Sequence, residues 1–389
     1  MIKYLDGNKI TLLQNGADYF PALETAIDRA VRWIYVDTYI FANDATGQRV
    51  ATALIRAAER GVAVHLLIDG YGAKAYPSIP LQSLLGAGVD VLIYRPSISP
   101  YRFQRQHLRR LHRKLAVIDE LTAFVGGINI LDDIDPRTKQ PRFDFAVQVA
   151  GPLLVPILRE MRSLHNRVAR SQLNRPRAEQ YPSADPESAG HTLAAFLLRS
   201  SLRHRHDIEQ AYLQAIDGAL HEIILASAYF LPGHRFRKAL INAVARGVNV
   251  RLLLQGCSDH PWVHYATRGI YAHLLAAGIG IYEYQSSEMH AKAAVIDGQW
   301  ATVGSSNIDP LSLMLSREAN VVVYDQTFAQ TLATCLNDAI KNNARQITHV
   351  DWRKQAWQKR FLARIAFNLV RVLASWVGYG MEKGKYTEK

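Results

Sequence analysis

The chain has 389 residues, 49% of them hydrophobic, which exceeds one typical domain and suffices to bury two sizeable cores. Its two cysteines, Cys257 and Cys335, lack metal-binding spacing, which argues against a disulfide framework or a cysteine-based zinc site and favours a reducing cytoplasm. The formal net charge of +12 predicts a negatively charged partner: nucleic acid, an anionic membrane surface or a phosphate-bearing substrate.

Strands and helices alternate along the first half of the chain. Apolar periodicity and turn residues predict, in chain order, strand 10–13, helix 19–33, strand 34–41, helix 50–60, strand 62–70, helix 81–85 and strand 89–94. The run 62–70 is almost continuously apolar, as in strands buried on both faces. This alternation predicts an α/β fold with a largely parallel or mixed sheet.

The second half repeats this order after a stretch rich in Pro, Ser and charge. The predicted elements there are helix 208–220, strand 223–230, helix 236–246 and strand 248–254. Arg60-Gly61-Val62 also matches Arg246-Gly247-Val248. We therefore predict a duplication with four parts: a first repeat over 1–170, a linker over 171–191, a second repeat over 192–350 and a C-terminal tail over 351–389.

The tail combines aromatic and basic residues. Trp352, Trp357, Phe361, Ile365, Leu369 and Trp376 recur at helical spacing, and residues 352–389 contain nine Lys and Arg against two Glu. This pattern favours an amphipathic helix, with either an interfacial membrane position or packing on the protein's own core. We expect no signal peptide and no transmembrane helix, because no window approaches ~18 uncharged apolar residues.

One motif occurs twice. His112, Lys114 and Asp119 are followed by Gly126-Gly127-Ile128-Asn129, and His290, Lys292 and Asp297 are followed at identical spacing by Gly304-Ser305-Ser306-Asn307. The basic segment Tyr101–Arg110 precedes the first copy, either as a solvated loop or as the mouth of an anion site. A single histidine would have an ordinary structural explanation, but a duplicated constellation predicts a site built from two halves.

The spacing within the motif separates two groups of side chains. Successive side chains of a strand point to opposite faces, so His112 and Lys114 share one face, as do His290 and Lys292. The turn at Asp297-Gly298 returns the chain so that Asn307, and by analogy Asn129, lies near its histidine. Asp119 and Asp297 have the opposite parity, which predicts a structural role, either capping the turn or binding the neighbouring repeat.

Two facing half-sites would suit phosphodiester chemistry without a metal. One imidazole attacks phosphorus while the other, protonated, supplies a proton to the leaving oxygen. Lys114, Lys292, Asn129 and Asn307 would hold the nonbridging oxygens. A carboxylate on the far imidazole nitrogen would fix the tautomer, and the candidates are Asp144, 32 residues after His112, and Glu318, 28 residues after His290.

The doubled pattern His-x-Lys-x4-Asp-x6-Gly-(Gly/Ser)-x-Asn resembles that of the phospholipase D superfamily over nearly the whole chain. The segments Gly7–Gly16 and Arg203–Leu213 are most similar to bacterial cardiolipin synthases of the B type. The resemblance implies two phospholipase D-like α/β/α lobes related by duplication, with the active site at their interface.

The resemblance also implies functions for the motif residues. It places six residues in the catalytic motifs: His112, Lys114, Asp119, His290, Lys292 and Asp297. His112 would be the nucleophile and His290 the general acid and base, although the near-symmetry of the copies leaves that order open. Gly127 stands where the second copy has Ser305, so a hydroxyl ligand for phosphate would come from one side only.

The implied reaction forms cardiolipin, by phosphatidyl transfer from phosphatidylglycerol to the hydroxyl of a second glycerophospholipid through a phosphatidyl-histidine intermediate, with no cofactor and no metal. The expected partners are anionic glycerophospholipids at the inner face of a bacterial membrane, with peripheral attachment and without nucleic acid. A phosphodiesterase acting on lipid or nucleic acid, or a non-catalytic lipid-binding module, are the alternatives. The sequence does not specify an oligomeric state.

Overall fold

The computed structural model describes most of the chain. The described residues are 2–75, 81–95, 110–172, 187–199, 204, 206–256, 261–309, 316–354, 358, 362–363 and 365–369. The predicted basic segment up to residue 109, most of the predicted linker and much of the predicted tail helix lie outside these residues.

The first lobe alternates strands and helices as predicted. Its strands are β1 (Leu5–Gln14), β2 (Trp33–Thr38), β3 (Ala63–Asp69), β4 (Asp90–Tyr94), β5 (Arg110–Leu111), β6 (Lys114–Ile118), β7 (Thr122–Gly126) and β8 (Phe145–Ala150). Its helices are α1 (Asn15–Arg29), α2 (Ala45–Glu59), α3 (Gly70–Ala75), α4 (Leu81–Gly86) and α5 (Leu154–Ser171).

The second lobe repeats this series. Its strands are β9 (Thr192–Arg199), β10 (Glu222–Ser227), β11 (Asn249–Gln255), β12 (Gly280–Tyr284), β13 (Lys292–Ile296), β14 (Trp300–Gly304), β15 (Ser316–Tyr324) and β16 (Ala344–Ile347). Its helices are α6 (Asp207–Gly218), α7 (His234–Ala245), α8 (Pro261–Arg268), α9 (Tyr271–Ala276), α10 (Gln326–Asn343) and α11 (His349–Lys354).

The strand order shows the duplication directly. In the first lobe it is β1-β8-β7-β6-β2-β3-β4, and in the second β9-β15-β14-β13-β10-β11-β12, with β16 added at the outer edge. In both lobes the three outer strands of this series are parallel and the hairpin that carries the motif is antiparallel. The predicted α/β fold with a mixed sheet in two related lobes is confirmed.

The two lobes share one sheet, which the sequence did not predict. β1 pairs with β9 in antiparallel fashion at Leu5↔Ala194 and Asn8↔Thr192. The fully buried Asn8 side chain donates to the Leu5 carbonyl at 2.7 Å and the Thr192 carbonyl at 3.2 Å, and accepts from the Leu153 N–H at 2.8 Å. This amide therefore satisfies backbone groups where the register shifts, and it stabilises the seam between the lobes.

Helices cover the sheet on both faces. The amphipathic helices α1 and α2 pack on one face of the first lobe, and α6 and α7 on the corresponding face of the second. On the other face, the cluster that includes Ile157 of α5 and Leu332 of α10 contains strand residues of both lobes, among them Val147 and Val303. Because these side chains share one buried cluster, the lobes have a common apolar core. Among the described residues, no helix is both long and apolar enough to traverse a bilayer.

A buried ion-pair cluster lies beneath the first motif. Arg113, between His112 and Lys114, points to the opposite face of β6 and is fully buried. Its guanidinium is 2.7 Å from Asp37 on β2 and 3.0 Å from Glu160 on α5. Burial opposes ionisation of Asp37, but Arg113 holds the pKa of this carboxyl below its usual value. The pair therefore stays charged and fixes the strand that carries the motif.

Replacing one partner of this pair should destabilise the protein strongly. We expect Asp37→Ala to lower the free energy of unfolding by about 3–5 kcal/mol, because the fully buried Arg113 charge would lose the closer of its two carboxylates and keep only Glu160. Asp28→Ala is the matched control: it breaks the Arg56–Asp28 pair, 2.7 Å apart but about half exposed, and should cost less than about 1 kcal/mol. Urea unfolding of both variants measures the difference, and equal costs would contradict the assignment.

Candidate active site

The two motif histidines line one cavity between the lobes. The cavity has a volume of about 570 Å³. Its wall includes His112, Tyr39 and Asn129 from the first lobe and His290 and Tyr229 from the second. The structure thus brings together the two half-sites that the repeated sequence predicts.

Each histidine is held by the opposite lobe. The His112 N–H donates to the Arg317 carbonyl at 3.1 Å, and its Nδ1 is 3.0 Å from the Glu318 carboxylate. In the mirror arrangement, the His290 N–H donates to the Phe143 carbonyl at 2.8 Å.

The Nδ1 atom of His290 is 2.7 Å from the Asp144 carboxylate. Both candidate carboxylates therefore contact an imidazole. The sequence analysis related Asp144 to His112 and Glu318 to His290 by their spacing, whereas in the structure Asp144 contacts His290 and Glu318 contacts His112. The physical reason is that Glu318 lies on β15, which pairs with β5 of the first lobe, and Asp144 follows Phe143, which pairs with Met289 of the second lobe. Spacing along the chain does not show these contacts.

The crossed contacts determine which imidazole nitrogen is available for chemistry. A carboxylate accepts hydrogen bonds only, so Nδ1 of each ring is assigned the proton and donates it. Nε2 of a neutral ring then carries the lone pair, as a nucleophile or a general base requires.

Burial governs the charge states of the histidines. It lowers the pKa of His112, and the attraction of Glu318 offsets this only in part. Burial, followed by Lys292 and Lys114, lowers the pKa of His290 well below its ordinary value. Both rings are therefore neutral near pH 7.

The two carboxylates differ from each other. Burial opposes ionisation of Glu318, but His112, Lys114 and a hydrogen bond from Ser305 hold its pKa below the usual value. Burial raises the pKa of Asp144 to about 6, against the attraction of Lys292. Glu318 is thus the more firmly ionised of the two partners.

The lysines and asparagines occupy equivalent positions in the two lobes. Lys114 donates from Nζ to the His112 carbonyl at 2.6 Å, and Lys292 makes the same contact with His290. Burial lowers the pKa of Lys114 to about 7. Asn129 and Asn307 each accept a backbone N–H at 3.3 Å through Oδ1, which leaves the NH₂ group of each amide as the donor. Asn129 lines the cavity, whereas Asn307 is buried and does not belong to its lining.

Asp119 and Asp297 are not at the cavity. Asp119 accepts from the N–H groups of Val31, Arg32 and Trp33 at 2.5–2.8 Å. Asp297 accepts at 2.8 Å from three N–H groups in the equivalent turn. Both carboxylates therefore anchor the turn that precedes a strand of their own lobe. The prediction that groups them with the catalytic residues is therefore wrong for the described geometry. The prediction that they bind the neighbouring repeat is also wrong, because each contacts its own lobe.

Ser305 also has a different contact from the one expected. Its hydroxyl is fully buried and donates to Glu318 at 2.5 Å, so it supports the carboxylate instead of facing a phosphate. In the first lobe, a Cβ at Gly127 would lie 2.4 Å from the Asp144 carboxylate. Glycine at position 127 therefore leaves room for the Asp144 carboxylate. It also leaves that carboxylate without a hydroxyl donor of the kind that Ser305 provides to Glu318.

Sequence reasoning missed Tyr39. Its ring centroid is 5.0 Å from that of His112, and the Lys114 ammonium lies 5.4 Å from the same ring. Tyr39 directly follows β2, and a polar aromatic residue at the end of a strand beside the motif strand was the available signal. Within the described part of the chain, no group of three or more His, Cys, Asp or Glu is arranged to hold a metal ion.

Comparison with known families agrees with this geometry. A family model described as the cardiolipin synthase, PLD-like domain matches residues 23–133 and 212–339, that is, one segment in each lobe. The chain belongs to this family. Each matched segment contains one complete His-x-Lys motif and strands before it. The family model therefore matches the repeated unit in both lobes.

Individual relatives cover nearly the whole chain. Cardiolipin synthase B of Salmonella typhimurium is 38% identical over 378 residues, which span 96% of this chain and 90% of that protein. Cardiolipin synthase B of Escherichia coli strain K12 is 37% identical over the same lengths. Among solved structures, phosphatidylserine synthase of Haemophilus influenzae has the same fold, with a TM-score of 0.70, 12% identity, and coverage of 97% of this chain and 96% of that one.

The crossed pairing can be tested by titration. We expect Glu318→Gln to lower the pKa of His112 further, because the imidazolium loses its anionic partner, and to leave His290 nearly unchanged. Imidazole ¹⁵N chemical shifts followed against pH measure both rings in one sample. A shift at His290 with none at His112 would show that each carboxylate serves its own repeat.

Proposed function

We propose that this protein is a phosphatidyltransferase that forms cardiolipin from phosphatidylglycerol and a second glycerophospholipid. The observation that carries the proposal is the crossed pair of imidazoles in one cavity, each with Nδ1 on a carboxylate and Nε2 available for transfer chemistry. Full-length similarity to proteins named cardiolipin synthase B supports the choice of lipid.

The first half-reaction forms a covalent intermediate. Nε2 of His112 attacks the phosphorus of phosphatidylglycerol, a P–N bond forms and the P–O bond to glycerol breaks. His290, protonated on Nε2, gives its proton to the departing oxygen. The bound phosphodiester carries a negative charge, which raises the low pKa of His290 and so favours the protonated form in the complex.

The second half-reaction reverses these roles. His290 is now neutral and accepts the proton of the second lipid's hydroxyl. That oxygen attacks phosphorus, the P–N bond breaks and His112 is released. Water is the competing acceptor, and its attack would yield phosphatidic acid, so the rate of transfer depends on keeping a lipid hydroxyl at this position.

The order of the two histidines follows from their carboxylates. The phosphorylated ring keeps its Nδ1 proton and carries a positive charge, which a firmly ionised carboxylate stabilises. Glu318, with its lowered pKa and its hydrogen bond from Ser305, meets this need better than Asp144, whose pKa is raised to about 6. We therefore assign His112 as the nucleophile and His290 as the general acid and base.

The remaining polar groups stabilise the phosphoryl oxygens. Lys114 and Lys292 approach the site from the two lobes, and Asn129 and Asn307 present amide donors. Preorganised donors of this kind stabilise the charge that develops on the nonbridging oxygens. With its anionic lipid substrate, the protein would act peripherally at the cytoplasmic face of a bacterial membrane and without nucleic acid.

Removing either histidine should abolish transfer. We expect His112→Ala and His290→Ala each to lower kcat by roughly 10⁴–10⁶-fold with phosphatidylglycerol vesicles, as for loss of a nucleophile or its proton-transfer partner elsewhere. His273→Ala, on an exposed face of α9, is the matched control and should retain full activity. Cardiolipin and glycerol are measured together, and labelled DNA is incubated in parallel. DNA cleavage without cardiolipin would overturn the proposed substrate.

Chelation should not affect the rate. We expect cardiolipin formation to stay within about twofold after EDTA treatment, because lysine and asparagine side chains hold the phosphoryl oxygens. The assay compares treated enzyme with and without added Mg²⁺ or Zn²⁺. Loss of activity with EDTA and recovery with metal would contradict the mechanism.

A further inference from the structure

We propose that an exposed apolar stripe on the C-terminal helix, whose described residues are 362–363 and 365–369, inserts into an anionic phospholipid bilayer through Leu362, Ile365 and Leu369. The inference deepens the proposed function, on which it rests for the chemistry of the bilayer. It names the surface by which the protein meets its lipid.

One side of this helix is packed on the second lobe. Ala363 and Ala366 are buried, and Ala366 belongs to a small apolar cluster with Leu231 and Ala266. The ring of Phe367 packs against the same cluster, and the Arg237 guanidinium lies 5.5 Å from its centroid. The helix is therefore seated on the protein through small residues.

A glycine permits the close approach. A Cβ at Gly269 would lie 2.6 Å from the Ala363 carbonyl oxygen and 2.8 Å from Cβ of Phe367, so any larger residue would displace the helix. Such backbone proximity defines the orientation of the helix. It also determines which side of the helix faces outward.

The outward side carries three exposed apolar side chains together with the exposed Asn368. Leu362, Ile365 and Leu369 are 46%, 45% and 51% exposed, and their spacing of three and four residues places them on one stripe. The sequence continues this spacing with Val372 and Trp376. A helix that is packed on one side ordinarily turns polar residues to water on the other, so an apolar outer stripe indicates a further apolar partner.

The packed side of this helix lies near the part of the second lobe that contributes to the cavity wall. Leu231, which the helix contacts, is two residues from Tyr229, a residue of the cavity wall. Ala266 belongs to α8, which comes after the carboxyl end of β11. A bilayer that receives the stripe would therefore approach the lobe that also contributes Tyr229 to the cavity.

Charge selects lipid as the partner. Residues 352–389 contain nine Lys and Arg against Glu382 and Glu388. Basic residues near an anionic bilayer attract its headgroups, and apolar side chains close to them in the sequence then insert at the interface. A protein partner or a second copy of this chain would not require this excess of positive charge.

The test compares two triple variants in the full-length chain. The stripe variant carries Leu362→Gln, Ile365→Gln and Leu369→Gln. The control variant carries Val31→Gln, Leu121→Gln and Leu220→Gln. These change three apolar residues that are more exposed than those of the stripe and lie in the turns before β2, β7 and β10. Both should melt at the same temperature as the wild type.

Flotation with vesicles of phosphatidylglycerol and phosphatidylcholine measures binding. We expect the stripe variant to bind at least about tenfold more weakly, with a matching loss of cardiolipin formation on vesicles, and the control variant to bind like the wild type. Raising the salt concentration or omitting phosphatidylglycerol should weaken binding of the wild type. Unchanged binding of the stripe variant would overturn the inference, as would equal losses in both variants.

A double comparison separates this inference from the proposed function. His112→Ala should bind vesicles like the wild type while forming no cardiolipin. If the wild type forms no cardiolipin but the stripe variant still loses vesicle binding, the proposed reaction is wrong and the proposed membrane-binding surface is supported. If cardiolipin forms while the stripe variant binds normally, the surface is wrong. A change in molar mass of the stripe variant in light scattering would identify a second copy as the partner instead.

Discussion

The hydrogen bonds that cross between the lobes are the interactions on which the site depends. Each imidazole takes its tautomer from a carboxylate of the other lobe, at His112–Glu318 and His290–Asp144. Neighbouring backbone bonds to Arg317 and Phe143 hold each motif strand against the opposite lobe. Duplication alone therefore does not complete the site. The shared sheet and the common core are needed to keep the two carboxylates within hydrogen-bonding distance of the rings.

Much of this arrangement could be predicted because it is local. Apolar runs identified the buried strands, and side-chain alternation placed His112 and Lys114 together and turned Asp119 away. The motif pattern identified the family. The crossed pairing and the β1–β9 seam could not be predicted, because both join residues more than 140 positions apart whose proximity depends on how the lobes dock. Ser305 was misassigned for the same reason: its hydroxyl is engaged by Glu318 in three dimensions.

Burial has different consequences for the ionisable side chains on the two faces of the motif strand. On one face it lowers the pKa of His112, which keeps the ring neutral near pH 7, and it brings the pKa of Lys114 down to about 7, so both groups lie near the range in which protons are exchanged at that pH. On the other face it encloses Arg113 with Asp37, where strong mutual attraction keeps both groups ionised. One face therefore holds groups whose pKa values are lowered by burial, and the other holds an ion pair that stays charged.

The exchange of Gly127 for Ser305 between the repeats breaks the equivalence of the two halves. In a perfectly two-fold site either imidazole could be phosphorylated, and the other would then protonate the leaving alcohol. Here one carboxylate receives a hydroxyl hydrogen bond and the other has no room for one. The two halves are therefore chemically different. With His112 as the nucleophile, as we propose, the headgroup that departs and the hydroxyl that arrives would both pass beside His290, so successive lipids would take turns at a single position.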